Sequence, residues 1–247
     1  IFMAFSNLGL SSGIQRFISD NIGKKKKERI PGVMWASLSL SMPLSLVAAV
    51  TLFLSADFIA LNIFNDAELS VVLRIFSLAI PFEMLYNNGS ALTFAFKEAK
   101  YVTYVDKIWR SLATFGITAF LIYMGYNIEG AIIAQFAAIL TSALLMTYFA
   151  QFKVYPFIQR KFKWDGNERK KLLGYSWPIF LGGIVGLSTS WADTVLLGFY
   201  SASETVGVYN AAVPTASLLT LFSSQMGNML FPTVSEYYGK GMKQKSV

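Results

Sequence analysis

Long apolar stretches, joined by connections whose charge alternates in sign, constrain this chain more than any other feature. The stretches run approximately from Ile1 to Ile22, Val33 to Leu54, Leu69 to Phe96, Ile108 to Met124, Gly130 to Gln151, Leu172 to Phe199 and Val206 to Tyr238. A helix needs about 20 mostly apolar residues to cross the hydrocarbon of a bilayer, and each of these qualifies or nearly does. The odd connections are basic: GKKKKERIP, the stretch from Lys97 to Arg110, and the stretch from Lys153 to Lys171, with more lysines after Gly239. The even connections, ADFIALNIFNDAE, GYNIE and SASET, carry acidic residues and no Lys or Arg. Short cytoplasmic loops collect Lys and Arg, so the basic side is assigned to the cytoplasm. The chain reads as an all-α, multi-pass protein of the plasma membrane.

Composition narrows the chemistry. Only 14% of residues are charged and 54% are hydrophobic, against about 25% charged in an ordinary soluble domain. The net charge of +7 would suggest nucleic acid in a soluble protein, but here it reflects the one-sided loops, and nucleic acid is not expected as a partner. With no Cys and no His, disulfides, thiol catalysis, zinc sites and imidazole acid–base work are excluded. No Gly-rich phosphate loop of the GxxxxGK[ST] form occurs, and the Gly182-Gly183 pair has no following Lys. The sequon Asn88-Gly-Ser90 falls inside a span, where it would be silent. No enzyme, cofactor or metal is therefore expected. The chain opens inside an apolar stretch without an initiator Met or a signal-peptide pattern, which reads as a piece of a longer protein.

Charges at membrane depth usually face a cavity or a partner, since each costs roughly 2.5 to 3.5 kcal/mol on insertion scales. Arg16 and Asp20 lie four apart near the basic end of the first span, close enough to pair; a salt bridge reaching for the interface is as good a reading of Asp20 as a ligand site. Arg74 and Glu83, nine residues apart, fall on opposite faces of the third span, so at least one looks into the bundle. Glu83, Asn87, Ser90 and Thr93 make a polar stripe aimed at an aqueous cavity, and Arg74, Ser77, Pro81 and Asn88 a looser one. Proline removes an amide donor, so kinks or breaks are expected at Pro81, Pro214 and Pro232. Asp193 shares a face with Gly182, Gly186 and Ser190. Small residues so spaced let helices approach closely, which accounts for the glycines but not for the carboxylate, making Asp193 the candidate ion-coupling group. In the last span Asn210, Ser217, Ser224 and Asn228 form a stripe that suits substrate contact or interhelical hydrogen bonding equally.

The segments SDNIGKKKKER (Ser19 to Arg29) and SEYYGKGMKQK (Ser235 to Lys245) repeat one pattern: Ser, acid, two residues, Gly-Lys, more basic residues. Six spans separate them, so both copies leave the membrane with the same orientation, as parallel repeats do. The natural boundary is the polar segment QRKFKWDGNERKK with its Asp165-Gly166 turn. This places most of a first lobe at 1–152, a basic linker at 153–171, and the start of a second lobe at 172–247.

Two blocks carry a specific resemblance. LGLSSGIQRFISDNIGKKKKERI (Leu8 to Ile30), and the region from Tyr175 to Gly241 with its W-x-D-x-x-x-L-G run and V-G-x-Y-N-A-A turn, resemble oligosaccharide and O-antigen flippases of the multidrug/oligosaccharidyl-lipid/polysaccharide exporter superfamily. The first looks like that family's second helix and the other like its seventh and eighth. The resemblance implies two pseudo-symmetric six-helix lobes, incomplete here, that move by alternating access around a central cavity. It also implies a polyprenyl-(pyro)phosphate-linked sugar as substrate, membrane lipid as surroundings, and H+ or Na+ as a coupling ion. A pyrophosphate needs cations, so Arg16 ahead of Arg74 is the expected contact, with Glu83, Asn87, Asn210 and Asn228 as further substrate-binding candidates and Asp193 for the ion. A cation-coupled multidrug antiporter of the same superfamily is the alternative. A membrane glycosyltransferase or ligase would need a large external loop, whereas the longest external connection is ADFIALNIFNDAE.

Overall fold

The structure, a computed structural model, describes residues 7–126, 128–160 and 167–216, and every regular element among them is helical. Helix α1 (Leu10–Gly23) follows Gly9, whose φ of 68° lies in the left-handed region that glycine adopts freely. Helix α2 (Ile30–Phe58) has proline in its first turn, where no amide donor is missed, and runs into a π-helical segment, Ile59–Ile63. Helix α3 is Glu68–Ala95. A short turn, Ala99–Val102, and a second π-helical segment, Thr103–Trp109, lead into α4 (Arg110–Tyr123). Helix α5 (Ile128–Tyr148) ends in a third such segment, Phe149–Val154. Helix α6 is Asn167–Tyr200, and a last helix, α7, occupies 203–216.

Three helices among the described residues are long and apolar enough to span a membrane: Lys27–Ile63, Glu68–Ala95 and Glu129–Val154. The other stretches fall short for visible reasons. Helix α1 has 14 residues, and the helix leading into α4 carries Lys100, Asp106, Lys107 and Arg110. The chain is a multi-pass membrane protein.

Polarity is arranged against the soluble rule. Leu54, Phe115 and Tyr123 are 75%, 77% and 90% exposed, while Ser37, Ser41, Ser45, Ser77, Asn88, Thr93 and Ser142 are buried. Outside lipid gives no incentive to bury leucine, so the helices meet through small and polar residues. On α2 the inward stripe is Ser37, Ser41, Ser45, Ala49, Leu52 and Ala56, at helical spacing. It packs on α3, which also meets α5 and α1. Asn88 binds the two helices together: its side-chain amide donates to Ser41 Oγ at 3.0 Å and to the Met84 carbonyl at 2.7 Å, and its Oδ1 accepts from Ser37 Oγ at 2.5 Å. All its capacity but one lone pair is used, so Asn88 is a fastening.

Two expectations are corrected. Helix α3 runs unbroken through Pro81, as do α2 through Pro43 and α6 through Pro178, since neighbouring helices and local adjustments re-satisfy the freed carbonyl in a membrane. The stretch from Lys97 to Arg110, read as a loop, is helical from Ala99; it holds no Gly or Pro to stop a helix, and its charges find partners on α3. Pro232 and the second copy of the repeat lie outside the described residues.

The chain divides into two compact units, Ile1–Ser190 and Trp191–Val247. The first unit thus includes the start of α6, whose Leu172 packs into the main core beside Leu10, Ile14, Ile18, Met34 and Leu92. The proposed division at 153–171 follows the sequence pattern, whereas the packing boundary lies further along, at Ser190.

Candidate functional site

Within the first unit the charged side chains at depth sort by whether they are neutralised. Glu83 lies midway along α3, about 22 Å of helix rise from Glu68. Arg110, a turn-by-turn continuation of the helix begun at Ala99, reaches it with two nitrogens: Nη2 to Oε2 at 3.0 Å and Nη1 to Oε1 at 3.5 Å. The same guanidinium stands 3.6 Å from Asp106 and 4.6 Å from the centre of the Tyr86 ring. The side chains of Arg110 and Glu83 are 21% and 16% exposed, so this is a largely buried pair. Arg110 Nε has no hydrogen-bond partner. An open groove beside it is lined by Asp106, Ser111, Thr114, Phe115 and Thr118.

Arg74 is also engaged. Its Nη2 sits 2.6 Å from Asp57 Oδ2, Ser70 Oγ donates to the other carboxylate oxygen, and Phe53 underlies the guanidinium at 5.5 Å. Both partners are exposed, at the end of the bundle where α2 and α3 are joined.

Arg16 differs. It stacks over the Tyr175 ring of α6 at 4.2 Å, and no carboxylate lies within ion-pair distance among the described residues. The expected pairing with Asp20 does not form: Lys24 Nζ takes that carboxylate at 2.8 Å, also across one helical turn. Phe17, next on α1, meets the edge of Tyr175 with ring centres 5.9 Å apart. The seam between α1 and α6 is tight because of two glycines. A Cβ added at Gly9 would come within 2.7 Å of the Ser176 carbonyl, and one at Gly13 within 2.5 Å of Ser176 Oγ.

The remaining candidates scatter. Asn87 is half-buried on α3, while its stripe-mates do not line an aqueous cavity: Ser90 and Thr93 are buried, and Thr93 returns its hydroxyl to the Gly89 carbonyl at 2.8 Å. In the second unit Asp193 accepts from the Tyr209 hydroxyl and, at 2.9 Å, from the Thr194 amide. Thr194 Oγ1 then donates to Asn210 Oδ1 at 3.3 Å, so two candidates drawn from separate stretches share one network. Asn228 lies outside the described residues. Gly182 and Gly186, read as a close-packing face, meet nothing within 4 Å; the glycines that do admit a neighbouring helix are Gly9 and Gly13. Among the described residues no group of acidic side chains could hold a metal ion.

Arg110 is the residue that sequence reasoning missed, having assigned it to a loop. The signal was available: Asp106 and Arg110 are four apart, a spacing that supports helix rather than loop.

Residues 1–238 match the family described as polysaccharide biosynthesis protein. An uncharacterized membrane protein of Methanocaldococcus jannaschii is 22% identical over 260 aligned positions, covering 99% of this chain and 50% of that protein. The probable flippase AglR of Haloferax volcanii is 25% identical over 53% of the chain and 26% of its own length. The probable low-salt glycan biosynthesis flippase Agl15 of the same organism is 29% identical over 32% of the chain and 17% of its own length. The chain therefore spans half or less of the curated relatives it matches. No solved structure matches. An all-helical membrane bundle with buried hydroxyls and sparse, mostly neutralised charges accords with the family match, and the chain belongs to the polysaccharide biosynthesis protein family.

Proposed function

We propose that this chain is part of a flippase that moves a polyprenyl-(pyro)phosphate-linked oligosaccharide from the cytoplasmic to the external leaflet by alternating access. Membership of a polysaccharide biosynthesis family and similarity to two proteins named as probable flippases support glycan assembly. The observation that carries the substrate reading is the standing of Arg16. Arg74 and Arg110 are held by Asp57 and Glu83, whereas the Arg16 guanidinium rests on an aromatic ring with its hydrogen-bonding edges uncommitted to carboxylate. A guanidinium binds phosphate oxygens bidentately, and Arg16 is the one available without first breaking an ion pair.

Asp193 is proposed as the group that couples transport to H+ or Na+. Its carboxylate, tied to Tyr209 and through Thr194 to Asn210, would exchange these neutral donors for a cation. The direct test is export in a flippase-deficient strain carrying the full-length protein. Arg16→Ala should abolish export while membrane insertion is retained; wild-type export by that variant would reject the role of Arg16.

A further inference from the structure

Beyond Arg16 toward the basic face, α1, α2 and α6 enclose a pocket that the function above does not use. Its rim holds Lys24, Lys26, Arg29 and Lys171, with Asp20 and Glu168 as the acidic members, and its floor is apolar, made by Phe17, Val33 and Leu172. Cations outnumber carboxylates two to one, and Asp20 is already matched by Lys24 at 2.8 Å.

The walls are built. Glu168 packs where a side chain on Gly32 would stand, within 2.3 Å of a Cβ placed there. Arg169 Nε donates to Ser39 Oγ at 2.9 Å, fixing the start of α6 on α2, and the Tyr155 hydroxyl closes on the Lys27 carbonyl at 2.8 Å. Helices α2 and α6 both begin here, so two positive helix ends add to the field. A cationic rim alone would suit any anion. An apolar floor beneath it suits an anion that carries a greasy chain. The floor is also continuous with the substrate contact, for Phe17 abuts Tyr175, the ring on which Arg16 lies.

We propose that this pocket docks the phosphoryl headgroup of a prenyl-chain lipid at the basic face, one helical turn short of Arg16. It rests on the reading that the substrate is a lipid phosphate, and adds a first station for it. Lys26, Arg29 and Lys171 hold the phosphoryl oxygens, Phe17, Val33 and Leu172 meet the first prenyl carbons, and the headgroup then passes along the α1–α6 seam to the guanidinium.

The test measures binding of farnesyl phosphate to the purified full-length protein in detergent, with farnesol and inorganic phosphate as probes lacking one half of the ligand. Farnesyl phosphate should bind, and both partial probes should bind at least about tenfold more weakly. K26Q/K171Q should weaken farnesyl phosphate by about tenfold or more, and K26R/K171R should restore it, showing that charge and not misfolding is responsible. Equal binding of inorganic phosphate would overturn the lipid headgroup. Undiminished affinity in K26Q/K171Q, with loss in Arg16→Gln, would overturn the pocket and leave the flippase reading standing. A protein that binds no farnesyl phosphate at all would overturn both.

Discussion

The side chains of Glu83 and Arg110 were each visible in the sequence, but not as a pair. Removing one member of a largely buried ion pair strands the other without compensation. Arg110→Leu should therefore cost about 3 kcal/mol in stability, while the double change with Glu83→Leu should recover most of it; equal losses in single and double variants, followed by thermal unfolding in detergent, would deny the coupling. Asn88→Leu leaves Ser37 and Ser41 without their shared partner and should cost about 2 kcal/mol. At Asp193, replacement by Asn keeps the size and removes the charge, so any proton or sodium dependence of transport should disappear. Unaltered ion dependence would reject it. Sequence spacing found the acidic and basic residues because their cost in lipid makes them conspicuous. It could not find their partners, because Glu83 and Arg110, like Arg74 and Asp57, meet across different helices.

Elements were more legible than contacts. The apolar stretches located α2, α3 and α5, since length and hydropathy alone decide what can cross a bilayer. Boundaries erred where charge was mistaken for a break: the helix before α4 continues because its charges are satisfied laterally. Proline erred in the other direction, as Pro81 leaves α3 continuous. The crossing of α1 and α6 shows what periodicity does not reveal. Gly13→Ala would bring a methyl to 2.5 Å of a serine hydroxyl that can rotate away, but Gly9→Ala would press on the Ser176 backbone and also strain a φ of +68°. Gly9→Ala should thus lower thermal stability by more than Gly13→Ala. Equal or reversed effects in paired melts would refute that crossing.

At the scale of the whole molecule, charge asymmetry across the loops is what orients the chain, and the packing carries the same information differently, by turning serines inward and leucines outward. Cysteines placed singly at Lys26 and Asn65, at opposite ends of α2 and its π-helical extension, should be labelled by an impermeant thiol reagent from opposite compartments; labelling of both from one side would undo the threading. The two-lobe organisation was read from a repeat whose second copy is beyond the described residues, so it rests on the family likeness. The π-helical segment Thr103–Trp109 has a practical consequence for anyone altering this protein. Such a segment holds one residue more than an α-helical path would use. Deleting a single residue there would leave the backbone well bonded and would still swing everything that follows by about 100°, carrying Arg110 away from its carboxylate. Alleles that shorten this stretch should be lost far more often than alleles that merely respell it.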